Sequence, residues 1–173
     1  MKLKSTFFLI LLFIGVLQLQ SQVVINELSA ANWQGGYADN YGEFEDWIEL
    51  YNTSGTDFDL SGYWLSDDDL EPMKWEFPAG SIIPANDHLV IFASDRNEVG
   101  GGNYHTSFKI TQGKQEGAVL ADPTGAIIDS YMLDVANQLD HSRGRASDGD
   151  ADWAIFLDPT PGAPNANPYE EYT

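Results

Sequence analysis

The chain has 173 residues, 8 Lys+Arg against 27 Asp+Glu for a formal net charge of -19, 13% aromatic and 43% apolar residues, and no cysteine. That length suits one domain able to bury about 70% of its unfolded surface, and the missing cysteines exclude disulfides, thiolate metal sites and a thiol nucleophile. The acidity excludes general nucleic-acid binding, which rests on Lys and Arg neutralising phosphates, while the aromatic content argues against disorder.

Met1-Lys-Leu-Lys4 supplies a positive start, and the apolar run from Phe7 to Leu17 is broken only by Gly15. A membrane-spanning helix needs about 20 apolar residues, and this run has the length of a signal-peptide core. Residues 1–21 are expected to be a cleaved signal peptide. No Cys follows to carry a lipid, so a secreted protein (extracellular or periplasmic) with no membrane anchor is expected. Loss of Lys2 and Lys4 would bring the net charge to -21.

The mature chain reads as short β-branched and aromatic stretches punctuated by turn residues. In order, candidate strands are 23–28, 46–52, 61–66, 74–78, 88–94, 105–110, 117–122, 126–133 and 152–157. Between them lie turn signals such as Asn52-Thr-Ser-Gly55, Pro84-Ala-Asn-Asp87, Gly100-Gly-Gly102 and Asp122-Pro-Thr-Gly125. In the run 47–51, Ile48 and Leu50 share one face while Trp47, Glu49 and Tyr51 share the other. No window keeps an apolar stripe at helical spacing, so there is no helical crossover to support parallel pairing, and an antiparallel sandwich or barrel is expected. Two long stretches, 29–45 and 135–151, carry no strand signal, and loops of that length are usually functional. Thr160-Pro-Gly-Ala-Pro-Asn165 cannot continue a ladder, because Pro161 and Pro164 lack N–H groups. Residues 166–173 read as a short acidic tail.

Val24-Ile-Asn-Glu-Leu28, Asp46-Trp-Ile-Glu-Leu-Tyr-Asn52 and Leu60-Ser-Gly-Tyr-Trp-Leu-Ser-Asp67 resemble the opening of a bacterial lamin-tail domain. With Lys74-Trp-Glu-Phe-Pro78, Leu89-Val-Ile-Phe-Ala-Ser94, His105-Thr-Ser-Phe-Lys-Ile110, Gly125-Ala-Ile-Ile-Asp-Ser130, Ser142-Arg-Gly-Arg145 and Thr160-Pro-Gly-Ala-Pro-Asn165, the order and spacing are similar to that family over nearly all of residues 23–165. The resemblance implies an all-β, immunoglobulin-like antiparallel β-sandwich over residues 22–165. It also implies an accessory module of secreted proteins with no catalytic residues to transfer.

Little in the sequence spells chemistry. His88, His105 and His141 form no metal-ligand pair, and there is no Gly-x-Ser-x-Gly elbow or phosphate loop. Trp47, Trp64, Trp75 and Trp153 read as sheet packing, with a sugar-stacking platform as the functional alternative. Trp33, Tyr37 and Tyr41, in the Gly-rich stretch 29–45, are the candidate binding residues, for a protein or glycan at the cell exterior. Hard oxygen donors suit calcium, and Asp39, Asn40, Glu43 and Asp46 beside Gly42 are the candidate ligands; Glu45 lies in the same stretch. Asp148-Gly-Asp-Ala-Asp152 starts like a calcium loop but has Trp153 at the sixth position and Pro159 at the twelfth, so it reads as a hairpin turn. The Asp67-Asp-Asp69 cluster with Glu71 reads as an exposed turn. Two function classes follow: a secreted non-catalytic binding module, and a small secreted hydrolase with carboxylates such as Glu27, Asp46 and Glu49 gathered in a pocket. The plainer reading of those three is a buried network that sets strand register.

Overall fold

The computed structural model describes residues 21–112 and 115–169. The expected signal peptide, apart from Ser21, and the last four residues of the acidic tail lie outside the described residues.

Thirteen strands are formed among the described residues: β1 (Val23–Ser29), β2 (Asp46–Asn52), β3 (Phe58–Asp59), β4 (Trp64–Ser66), β5 (Trp75–Glu76), β6 (Ile82–Ile83), β7 (His88–Ala93), β8 (Glu98–Gly100), β9 (Asn103–His105), β10 (Gly117–Ala121), β11 (Ile127–Met132), β12 (Ser142–Arg145) and β13 (Trp153–Phe156). They build a seven-stranded sheet in the order β13-β12-β1-β2-β7-β9-β8, a four-stranded sheet β11-β10-β4-β5, and the pair β3-β6. The all-β sandwich expected from the sequence is the observed architecture.

The core lies between the two large sheets. Ile48 and Leu50 of β2 point into it with Ile25 and Leu28 of β1, Leu65 of β4, Ile91 of β7 and Leu120 of β10. Each such side chain, fully buried, contributes about 1.5–3 kcal/mol of apolar transfer free energy. β1 and β2 sit centrally in the larger sheet and are covered on the other face too, which is why Trp47 and Phe92 are also buried.

Four expectations need correction. One pair is parallel: β7 runs beside β9 with Phe92 opposite His105. The crossover is made by β8 and its hairpin to β9, closed by Gly101 and Gly102 at positive φ, so no helix is needed. The candidate strand 105–110 is strand only at His105, and the candidate 61–66 begins only at Trp64, because Gly62 takes φ 79° in a turn where its N–H meets the Phe77 carbonyl. The stretch 135–151 is not strandless, since β12 lies within it.

The alternation of β1 contains the decisive irregularity. Ile25 is opposite Leu50, yet Glu27 is opposite Glu49, so Asn26 is an extra residue in the ladder. This β-bulge lets Ile25 and Leu28 both face the core across an odd spacing. It also turns the backbone of Ile25 away from β12, and side chains take over: Asp129 Oδ2 accepts from the Ile25 N–H at 2.8 Å and Arg145 Nε donates to its carbonyl at 2.7 Å. Arg145 and Asp129 are themselves paired at 2.8 Å, which ties the two sheets together at the bulge.

Candidate functional site

The bulge places Asn26, Glu27 and Glu49 on the outer face of the seven-stranded sheet, with two carboxyls directly opposite each other. Like charges in that position are destabilising. The conflict is relieved by the chain folding its Pro-rich end over them. Thr160 donates from its N–H to Glu27 at 3.1 Å and from its Oγ1 at 2.8 Å, Ser142 Oγ donates to the same carboxyl, and the Gly162 N–H reaches Glu49 Oε2 at 2.6 Å. Asn26 Nδ2 donates to Glu49 Oε1 at 2.9 Å and to Asp148 Oδ1 at 3.0 Å. Asn165 closes the far end, donating to the carbonyls of Asn26 and Arg145. Outside this network His88 Nε2 lies 3.3 Å from Asp148 Oδ2.

Burial dominates the protonation of the pair. It pushes Glu49 from 4.5 up to about 8, with Glu27 and Asp148 adding repulsion against the lowering hydrogen bonds. Burial likewise raises Glu27, partly offset by its bonds from Ser142 and Thr160. A raised carboxyl has the protonation a general acid needs, but a general acid must also reach a substrate proton. Glu27 and Glu49 are both 0% exposed and their oxygens meet donors of this chain. Asp46 does not join them. It accepts from the Asn32 N–H at 3.1 Å and is pushed from 3.8 up to about 6, chiefly by burial. The arrangement is a clasp that holds residues 160–165 on the sheet.

The aromatic candidates lie nearby on the same face. Tyr37 stacks on Phe92 with ring centres 5.7 Å apart, Phe92 stacks on His105 at 5.5 Å, Tyr41 tilts against His105 at 5.7 Å, and the Arg96 guanidinium lies 4.5 Å over Tyr41. His105 is fixed from both ring nitrogens, by Ser94 Oγ at 2.9 Å and Asn40 Oδ1 at 2.8 Å. Sequence reasoning finds the exposed ends of this ladder and misses its middle, because Phe92 and His105 lie on strands distant in sequence. Trp33 is 59% exposed and Tyr41 52%, while Tyr37 is 38% exposed. Between the Trp33–Tyr37 segment and residues 157–161 runs a groove of about 410 Å³, lined by Asn32, Tyr37, Trp47, Asp140, Asp158 and Pro159 among others.

The side chain of Asn32 gives this loop its shape. Its Nδ2 donates to the carbonyls of Tyr37 and Glu45, both at 2.7 Å, and its Oδ1 accepts from the Tyr37 N–H. Gly36 is required beside it, because a Cβ there would come within 1.7 Å of Asn32 Oδ1.

The four calcium candidates have separate partners. Asp39 Oδ1 accepts from the N–H groups of Tyr41 and Glu43, Asn40 holds His105, Glu43 pairs with Arg96, and Asp46 holds Asn32. Neighbouring Glu45 pairs with Lys109 at 2.8 Å. Among the described residues no three of His, Cys, Asp and Glu gather as a metal ion requires. Of the other acidic turns, Asp148 is drawn into the clasp and Asp67 is buried against Lys74 at 2.7 Å.

The model of the family described as Lamin Tail Domain matches residues 18–133, which end just beyond β11, so Asn26, Glu27 and Glu49 lie within the match while β12, β13 and residues 160–165 lie beyond it. No curated protein matches the chain in a sequence comparison.

Proposed function

The chain belongs to the lamin tail domain family of immunoglobulin-like, non-enzymatic domains, and from that premise we propose that it is a secreted binding or accessory module that contributes contact surface rather than catalysis. Its partner is a protein or glycan outside the cytoplasm. The observation that supports this most directly is the loop 29–45, which exposes Trp33, Tyr37 and Tyr41 beside a groove, with Tyr37 and Tyr41 held at the two ends of the Phe92–His105 ladder. Exposed large aromatics on a fixed backbone have low ordering cost and are the side chains that dominate interface energetics. Export follows the charge and apolar pattern of residues 1–21, and the enclosure of Glu27 and Glu49 speaks against the hydrolase alternative.

A binding screen of the purified chain against glycan arrays and secreted proteins tests the reading. Trp33→Ala and Tyr37→Ala are expected to weaken the captured partner at least tenfold; melting temperature stays within about 2 °C of the parent for exposed Trp33→Ala, and falls by several degrees for Tyr37→Ala, which uncovers Phe92. Retention of full affinity in both variants would refute the assignment of the loop. Export is checked separately by N-terminal sequencing of protein recovered from outside the cytoplasm, where an intact Met1 would count against cleavage.

A further inference from the structure

We infer that the groove beside the aromatic loop receives a cationic side chain, Lys or Arg, from a protein partner. The inference rests on the reading of loop 29–45 as an interaction surface and specifies its ligand. Both charged residues of the groove lining are acids, Asp140 and Asp158. Asn32, which also lines it, has its amide spent on the carbonyls of Tyr37 and Glu45 and its oxygen on the Tyr37 N–H. The charged groups therefore offer acceptors, which suits Lys and Arg, side chains that only donate.

Geometry supports the same ligand. Asp140 Oδ1 accepts from the Trp33 backbone N–H at 2.6 Å, which fixes the carboxylate against the backbone of the loop. Its Oδ2 would lie 3.6 Å from a Cβ at position 35, so glycine there keeps that flank clear of a side chain. Tyr37 lines the same groove as the two carboxylates, and an aromatic ring beside a cation site adds the attraction of its quadrupole to that of charge. Across the whole chain, 27 acidic against 8 basic residues draw a basic partner and repel an acidic one.

The test is a heteronuclear NMR titration of the full chain at near-physiological salt with N-acetyl-arginine amide. Its uncharged isostere N-acetyl-citrulline amide, N-acetyl-lysine amide and methyl glucoside serve as parallel probes. The expected result is saturable shifts at the Trp33 indole and at the amides of Gly35, Gly36 and Tyr37 with the arginine and lysine probes, and none with citrulline. Asp140→Asn/Asp158→Asn should weaken arginine about tenfold, the scale of a lost charge-assisted hydrogen bond. Asp68→Asn/Asp69→Asn, which removes the same charge elsewhere, should change it less than twofold. Asp158 is exposed, so Asp158→Asn alone serves if the double variant unfolds. No saturable shift with arginine, equal response to citrulline, or equal weakening by the distant pair overturns the inference. Methyl glucoside binding at Trp33 without arginine binding overturns it while leaving the loop in its interaction role.

Discussion

Glu49 is the group whose environment has the largest measurable consequence. Its carboxyl titrates ordinarily at 4.5 and is pushed up to about 8, first by burial and then by Glu27 and Asp148. Between those values the folded chain keeps a proton that the unfolded chain has released. By linkage, the stability tied to this proton is complete below 4.5 and is lost as pH rises through about 8. At about 1.4 kcal/mol per pH unit for one proton, going from about pH 5 to about pH 8 removes on the order of 4 kcal/mol. That is a large share of the ~5–15 kcal/mol by which a domain is stable. Asp46, raised to about 6 chiefly by burial, acts with the same sign at lower pH. Asp59, Asp122 and Asp150 act oppositely. Hydrogen bonds from the Ser61 side chain, the Thr124 side chain and the Asp152 backbone respectively lower them below 3.8, so their contribution is present above that value and lost as pH falls through the lowered ones.

Maximal stability is therefore expected in weakly acidic solution, near pH 5, with a decline toward pH 8. Urea unfolding followed by tryptophan fluorescence, at constant ionic strength high enough to screen the surface charge, measures it. General repulsion among 27 acidic residues also grows with pH, so Glu49→Gln supplies the discriminating comparison. Gln keeps an acceptor for Asn26 but sets an amide against the Gly162 N–H, a mismatch of about 1–3 kcal/mol. The variant should be less stable at pH 5 yet lose distinctly less on going to pH 8. Parallel pH profiles for the two proteins would show that the buried proton is not where the burial of Glu49 places it.

Glu27→Ala strands Ser142 Oγ and both donors of Thr160; unfolding is expected to become easier by about 3–5 kcal/mol, against little change for an exposed control such as Glu98→Ala. Gly117→Ala puts a Cβ 2.0 Å from the Tyr131 carbonyl oxygen, a backbone clash that neither β10 nor β11 can relieve without losing register. A fall in melting temperature of about 6–12 °C is expected, from ~3 kcal/mol at this chain length. Because Asp39, Asn40, Glu43 and Asp46 each hold a different partner, millimolar calcium should shift the melting temperature no more than magnesium at equal ionic strength. A saturable calcium-specific rise would mean that these four donors rearrange into one shell.

The strands that are legible in the sequence are those whose side chains carry the ladder. In β2 the apolar pair Ile48 and Leu50 faces the core while Trp47 and Glu49 face the other way, and the period-2 pattern makes that plain. β12 escapes notice because Ser-Arg-Gly-Arg has no apolar residue; it is held by its neighbours β1 and β13. Gly144 is there because a Cβ would come within 2.9 Å of Phe156 and 3.0 Å of Glu27, a constraint that exists only after the sheet has formed. The two-residue strands β3 and β6 and the three-residue β8 are likewise products of pairing, since so few residues hold no periodicity. In the loop 29–45, exposure of Trp33, Tyr37 and Tyr41 follows from their Gly-rich setting. The buried members Phe92 and His105 need knowledge of which strands become neighbours.

The clasp was written in the sequence in two halves that look unrelated. Asn26-Glu27 interrupts an apolar strand, and Thr160-Pro-Gly162 forbids a continuous ladder. A polar pair in a central strand demands donors, and a Pro-rich segment has donors left over, because its N–H groups on either side of Pro161 find no strand partner. The Thr160 N–H goes to Glu27 and the Gly162 N–H to Glu49, so each half supplies what the other lacks. The bulge at Asn26 is what brings the two carboxyls level. Pro159 and Pro161 then line the groove together with Trp47. The groove wall is therefore anchored by the buried carboxyls, and the shape of the proposed interaction surface depends on side chains that are themselves enclosed.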